Sequence, residues 1–424
     1  MTAAWSEPPR PERRPELDAI RVLVVVGLVF FHSALVFDTR DDFYVKNSET
    51  TDATMVLAGL GVVWAMPMLF LIAGFGSWHS LRRRGPAGFV VERLRRLGVP
   101  LVFATLTIIP VPQWLRLRAA DPGYHESYLD FLPDFYDVRP DPADAPFLLE
   151  GAYFETGHLW FVVLLLAFSL AVVPLAHWLA HGRRRRIVEW LATAAQRRGS
   201  TLPPAAPLAV ISAFVGLEEA YAGWSRWAYL LFFGYGLVLA ADERFRAAMR
   251  HDARAAAVLG AALFLGGLPG FLSADDPFTD MTGTAIGARA LYGAAGWCLL
   301  VAILGSLDRR RLARARERAA GSAVTQPAGR GRRLYGYLSA AVLPLYVLHQ
   351  PIVVAVAYGV VGWDAPIAVE YTVIVASSSA LTLAAYDLLV RRTRVTRFLF
   401  GMREPGPRLY PRKAASPHGR QGKT

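Results

Sequence analysis

The 424-residue sequence holds one cysteine, Cys298, so no intramolecular disulfide can brace the fold and the redox compartment leaves no mark on it. Charge is scarce as well. Only 19% of residues are Asp, Glu, Lys or Arg, against 54% hydrophobic, and a soluble domain of this length rarely looks so apolar. There is no glycine-rich phosphate loop and no nucleophile elbow, which argues against P-loop chemistry and an α/β-hydrolase serine. The nine histidines are scattered without metal-ligand spacing, so no metal is expected. The N-terminus, MTAAWSEPPRPERRPE, is polar and proline-rich and lacks the layout of a signal peptide. The inverted repeats of many transporters are absent too.

What the sequence does have is apolar runs long enough to cross a bilayer as helices, which needs about 20 residues. Ten spans are expected, roughly 17–37, 55–81, 97–114, 158–180, 205–218, 226–241, 254–272, 285–307, 334–360 and 366–390. The predicted fold is therefore an all-α, polytopic membrane bundle of about ten transmembrane helices. The expected organisation is a cytoplasmic tail over 1–16, a membrane domain over 17–401 and a disordered basic cytoplasmic tail over 402–424. The Arg/Ala/Gly-rich segment 308–333 reads as flexible.

The net charge of +12 could suggest nucleic acid, but its placement argues otherwise. Most Lys and Arg fall in segments on the N-terminal side of the membrane, including Arg82–Arg84, Arg183–Arg186 and Arg309–Arg311. The opposite loops are rich in acids. This is the positive-inside pattern, and it puts both termini in the cytoplasm, beside anionic lipid. The localisation read from it is the inner (plasma) membrane, multi-pass, with no nucleic-acid partner. The outer segment 115–157 mixes carboxylates with Tyr124, Tyr128, Phe131, Phe135 and Tyr136. Aromatics among acids suit a carbohydrate; the competing reading is a solvated loop with interfacial aromatics.

Ionisable residues inside apolar spans are costly and point to function. Arg21 and His32 are eleven positions apart in the first span, so they share one helix stripe, with His32 roughly 16 Å deeper. Asp18 is one turn from Arg21 and can pair with it. His349, in the ninth span, matches His32 in depth, so the two are expected to face one polar cavity. Histidine is a natural general base for an alcohol. The alternative for His349 is packing against a carbonyl freed by Pro351. Tyr346 lies near the face of His349, whereas Gln350 points about 100° away and reads as a packing contact. Arg93 and Arg96, one turn apart at the start of the third span, suit a phosphate-bearing ligand or a topology anchor. Arg289 should pair with an acid or face a wet cavity, with Glu370 as candidate partner. His158 and Trp160 open the fourth span and are candidates for substrate contact.

Several stretches resemble the membrane acyltransferase-3 family, closest to its glucans biosynthesis protein C branch. They are LDAIRVLVVVGLVFFHS, MPMLFLIAGFGSWHSLRRRG followed by RLRRLGVPL, GHLWFVVLLL, LPLYVLHQPIVV and DLLVRRTRVTRFLFG. Together they sample nearly all of 17–401. The resemblance implies that Arg21 and His32 are essential and that Arg93 and Arg96 form the family's basic motif. It also implies acyl transfer from cytoplasmic acyl-CoA, as co-substrate, to a hydroxyl of an extracytoplasmic glycan or glycolipid of the cell envelope. Many members carry a Glu a few residues after the span-4 Trp; here Trp160 is followed by FVVLLLAFS, with no acid.

The expected function is thus an O-acyltransferase moving acetyl or succinyl. His32, Arg21 and His349 would be catalytic, Arg93 and Arg96 would hold the donor, and Asp18, His158, Trp160 and Arg289 would contact substrate. The alternatives are a transporter or flippase of a small anion or lipid, and a structural membrane partner in which the histidines only pack.

Overall fold

The structure, a computed structural model, describes residues 14–39, 42–178, 181–320 and 330–403. The expected tails 1–16 and 402–424 lie outside these residues except for 14–16 and 402–403. A bilayer offers backbone amides no partner, so spanning segments must satisfy their hydrogen bonds internally as helices. The described chain is almost wholly helical. Helix α1 is Pro15–Leu35, α2 Ala53–Arg93, α3 Val99–Thr107, α4 Pro110–Ala120 and α5 Tyr128–Phe135. Two short strands, β1 (Val138–Pro140) and β2 (Leu149–Gly151), pair antiparallel. Then come α6 (Trp160–Trp178), α7 (His181–Ala194), α8 (Ala205–Phe214), α9 (Arg226–Ala241) and α10 (Glu243–Ser273). Helices α11 (Gly283–Ala319), α12 (Arg330–Val360), α13 (Ile367–Ala385) and α14 (Arg394–Leu399) complete the chain.

Among the described residues, seven helical stretches are long and apolar enough to cross a membrane, against the ten expected. The difference has a physical origin in three places. Helices α8 and α9 are 10 and 16 residues long, below the usual crossing length. The spans expected at 55–81 and 97–114 are joined in one helical stretch, Gly59–Ala120. That stretch breaks at Gly85, whose φ of 72° and ψ of 175° are not helical. The chain folds back there: Arg93 donates to Ser77 Oγ at 3.1 Å, although sixteen residues of straight helix would put them about 24 Å apart. A further correction concerns 308–333, expected to be flexible. Helix α11 continues through its arginines to Ala319, and 321–329 lie outside the described residues.

The bundle is held by close helix pairs: α10 with α11, α2 with α9, α8 with α11, and α12 with α1 and α13. Small residues set the tightest approach, as expected where lipid supplies no hydrophobic drive between helices. A Cβ on Gly74 of α2 would come within 2.0 Å of the Phe233 carbonyl oxygen, and one on Gly236 of α9 within 2.0 Å of the Leu71 carbonyl oxygen. Both neighbours are backbone and cannot swing away. Gly236→Ala should therefore lower the thermal midpoint of the detergent-purified protein by an amount equivalent to about 1–3 kcal/mol or more. Gly27→Ala, with open space around its Cβ, should leave the midpoint near wild type. Equal midpoints for the two variants would remove the α2–α9 contact as a determinant of stability.

Candidate active site

Two cavities penetrate the bundle from opposite ends. One, of about 570 Å³, opens at the end where the arginines gather and is lined by Asp18, Arg21, His79, Glu92, Arg93, Arg96, Arg397 and Arg403. The other, of about 710 Å³, opens among the acidic loops. His32, Phe43, Tyr44, Arg116, Glu155, His158, Trp160 and Gln350 line it.

The basic-end cavity is crowded with cations. Arg21 donates to Asp18 Oδ1 at 3.1 Å and to the Ile72 carbonyl at 3.4 Å. Arg96 reaches Glu92 at 3.4 Å and the Gly401 carbonyl at 3.5 Å. Arg93 lies 3.7 Å from Glu92 and stacks 4.8 Å over Phe89. Arg403 completes the group, its pKa pushed down first by the neighbouring Arg96 guanidinium. Six guanidiniums, those of Arg21, Arg83, Arg93, Arg96, Arg397 and Arg403, thus line a cavity with two carboxylates, Asp18 and Glu92, and an anion would relieve the congestion. An adjoining cavity of about 720 Å³ shares Asp18, Arg21, His79 and Arg403 with this one, so the basic surface is continuous. Sequence reasoning assigned Arg403 to the tail beyond the membrane domain. Its placement depends on the turn after α14, where Gly401 (φ 64°) brings the chain back against Arg96.

Between the cavities sit three histidines. The rings of His32 and His349 are 5.1 Å apart, and those of His349 and His158 are also 5.1 Å apart. Depth matching thus brought His32 and His349 together, but in direct ring contact rather than across a polar cavity. His349 is fully buried and lines neither cavity. His158 joins them because Gly157, at φ 48°, opens the turn before α6. A Cβ there would press on the Tyr44 hydroxyl at 3.2 Å.

Hydrogen bonds fix two of the tautomers. Backbone carbonyls only accept, so His158 Nε2, 3.1 Å from the Val347 oxygen, carries a proton. His349 Nδ1, 2.6 Å from the Tyr346 oxygen, carries one likewise. His158 Nδ1 and His349 Nε2 then keep lone pairs. His349 Nε2 and His32 Nδ1 are both buried without a hydrogen-bond partner. The carbonyl freed by Pro351 is that of Val347, four residues back, and His158 takes it, not His349. Tyr346 closes the arrangement by donating to the His158 carbonyl. Its ring lies 5.6 Å from Phe161, and both face the basic-end cavity, so a wall about one side chain thick separates the two cavities.

The remaining sequence candidates divide. Trp160 lines the acidic-end cavity. Asp18 and Arg21 belong to the basic end, so the structure does not bring Arg21 to the histidines. Arg289 lines neither cavity and does not pair with Glu370. It is fully buried and donates to the carbonyls of Ser212, Ala213 and Pro277 at 3.0–3.3 Å. It thereby satisfies the carbonyls that end α8, which have no partner within that helix. Glu370 is buried with Oε2 unpartnered.

Gln350, read from the helical wheel as a packing contact, instead faces the acidic-end cavity. The loop aromatics Tyr124, Tyr128, Phe131, Phe135 and Tyr136 do not line that cavity. Phe131 and Phe135 are fully buried and pack with Tyr136, Tyr153 and Phe154 as part of the main hydrophobic core. The cavity is reached instead by Glu155, which accepts from the Tyr44 hydroxyl. Burial pushes the Glu155 carboxyl up, against the Tyr44 bond and the Arg116 charge.

Residues 14–391 match the acyltransferase domain that defines the acyltransferase-3 family. The chain belongs to the acyltransferase-3 family. It is an acyltransferase, transferring groups other than amino-acyl groups, and its apolar helices make it a multi-pass membrane protein. No curated protein and no solved structure matches the chain. The family match covers every histidine of the cluster as well as Arg21, Arg93 and Arg96, and ends before Arg397 and Arg403.

In this acyltransferase-3 enzyme the Pro351 notch is what anchors His158. Pro351→Ala restores an amide that competes for the Val347 carbonyl, so His158 should lose its anchor while helix α12 becomes sounder. The expected outcome is an unchanged or higher thermal midpoint with acyl transfer reduced by up to ~10²-fold. A variant that is equally stable and fully active would mean that His158 needs no such anchor.

Proposed function

We propose that this acyltransferase takes a small acyl group from acyl-CoA at the basic end and delivers it to a hydroxyl bound at the acidic end. The observation that carries this reading is the histidine cluster lying between a cavity rich in arginine and a cavity rich in carboxylate. The arginine-rich cavity is suited to the donor's phosphates, with Arg21, Arg93, Arg96 and Arg403 offering guanidinium forks. The positive-inside pattern supports a cytoplasmic basic end. Counting the fold-back at Gly85 as two passes, and α8 and α9 as short passes, gives ten crossings and returns both termini to that side. The membrane is read as the inner (plasma) membrane, and the donor approaches from the side where acyl-CoA is made.

The chemistry follows from the positions. The thioester would arrive from the basic end at Tyr346 and Phe161, the thin wall below the histidines. His32 faces the acceptor cavity and would take the proton of the attacking hydroxyl as general base. The hydroxyl oxygen bonds to the thioester carbonyl carbon, the C–S bond breaks, and the proton leaves with the CoA thiol. His349 and His158 hold the imidazoles in register beside His32. A ping-pong route through an acyl-His32 intermediate uses the same geometry. Four carboxylates, Asp42, Asp144, Glu155 and Glu219, line the acceptor cavity against one guanidinium, Arg116. That balance disfavours a polyanionic acceptor and supports a neutral envelope glycan or glycolipid. The resemblance to the glucans biosynthesis protein C branch agrees with a small acyl group such as acetyl or succinyl.

Two measurements test the two ends separately. His32→Ala should reduce acyl transfer by on the order of 10²–10⁴-fold while the protein remains monodisperse in detergent. Near-normal turnover in a folded His32→Ala sample would rule out the base. Arg403→Ala should weaken acyl-CoA binding by calorimetry roughly tenfold, the cost of one lost hydrogen bond between charged groups. Its effect on turnover at saturating donor should be small. Unchanged affinity would return the arginines to a purely topological role.

A further inference from the structure

Gln350 is 4% exposed and lines the acidic-end cavity, and its Oε1 is buried without a hydrogen-bond partner. Its neighbour His349 is enclosed by protein on every side. A primary amide has two donors and an acceptor oxygen. Inside an apolar helix a side chain of that kind is unfavourable unless something pairs with it. Apolar residues of similar volume would fill the space, as Val353 and Val354 do one turn later on the same helix. An amide oxygen can only accept, so its missing partner carries an O–H or N–H. The residue lines the cavity, so a turn of its amide about the last side-chain bond, which exchanges the O and NH₂ positions, presents that oxygen to a ligand there.

We infer that Gln350 binds the acceptor through a second hydroxyl, next to the one that is acylated, so that the preferred acceptor is a neutral polyol with adjacent hydroxyl groups. The inference rests on the proposed reading of the acidic-end cavity as the acceptor site. His32 and Gln350 line the same cavity from α1 and α12, two helices packed directly together. One hydroxyl lies against the imidazole and the next against the amide. The Gln350 oxygen accepts from this second hydroxyl, and its NH₂ group can donate to the ring or glycosidic oxygen beside it. The amide carries no charge, so it adds no penalty for a neutral sugar and gives no reward to a phosphate-rich one. Selection then follows from the pairing: an acceptor lacking the second hydroxyl leaves the buried amide unmatched and is rejected.

The test uses the full chain in detergent with an acyl-CoA donor. The acceptor probes are cyclohexane-1,2-diol, cyclohexanol and a neutral gluco-oligosaccharide. Wild type should acylate the diol and the oligosaccharide with a lower KM than cyclohexanol. Gln350→Met keeps the length of the side chain and removes the amide. It should raise KM for the diol and the oligosaccharide by roughly tenfold, the loss of one well-made hydrogen bond. The ratio of KM for cyclohexanol to KM for the diol should fall towards one, which a general packing defect, raising both alike, would not produce. Gln350→Glu retains an accepting oxygen and should recover part of the preference, which keeps the test informative if the Met variant folds poorly. Equal diol KM in wild type and Gln350→Met, or a wild type that does not distinguish diol from cyclohexanol, overturns the assignment of Gln350 and leaves the His32 reading intact. A wild type that acylates no hydroxyl at all overturns the acyl-CoA reading and this inference with it.

Discussion

A polar atom inside an apolar bundle has to find its partner there, because lipid offers none. Much of the site follows from that single constraint. Pro351 withholds an amide from α12, leaving the Val347 carbonyl unpaired; the ring of His158 takes it, and the choice fixes both the position and the tautomer of that imidazole. His349 is fixed by the carbonyl of Tyr346 one turn earlier, and Tyr346 in turn donates to the backbone of His158. Helix α12 and the turn that opens α6 are thereby tied together without a charged pair, and His32 of α1 packs its ring on His349. What is left over is then informative. His32 Nδ1, His349 Nε2 and Gln350 Oε1 remain unpaired; His32 and Gln350 line the acidic-end cavity, and His349 is enclosed behind them.

The same constraint explains why similar residues take different roles. Arg289 is fully buried, and it donates to the carbonyls of Ser212 and Ala213 at the end of α8 and of Pro277 in the loop before α11. It stabilises a helix that is short for a membrane pass and lines neither cavity. The arginines at the basic end differ because they outnumber their acids. Arg21, Arg93 and Arg96 are each only partly answered by Asp18, Glu92 or a carbonyl, and the proximity of Arg96 lowers the pKa of Arg403. A cluster of cations near a membrane surface keeps that arrangement at a cost, which is the observation that supports the proposed phosphate-bearing donor.

The two ends of the molecule therefore have complementary electrostatics with a thin wall between them. In the proposed function, the wall made by Tyr346, Phe161 and the histidines would let each substrate stay in its own solvent. Only the reacting atoms need to meet. No acid follows Trp160 on α6: the rings packed on His32 are those of His349, Phe31 and Phe43, and Glu155, one of the carboxylates lining the acidic-end cavity, comes from the loop before α6.

The sequence by itself determined the class of the molecule. Long apolar runs dictate helices in a bilayer, and residue spacing put Arg21 and His32 on one stripe and His32 level with His349. These are local or statistical properties of a helix, so they survive without knowledge of its neighbours. The tertiary structure alone decided which helix face meets which. It folded the chain back at Gly85, merging two expected spans. It brought His158 into the cluster through the left-handed turn at Gly157, turned Gln350 towards a cavity and enclosed His349. It also sent Arg289 to cap α8 and returned Arg403 to the basic end. Each of these depends on a contact between residues far apart in the chain. Periodicity within one helix gives depth and face, but the identity of the group on the other side is written in another helix.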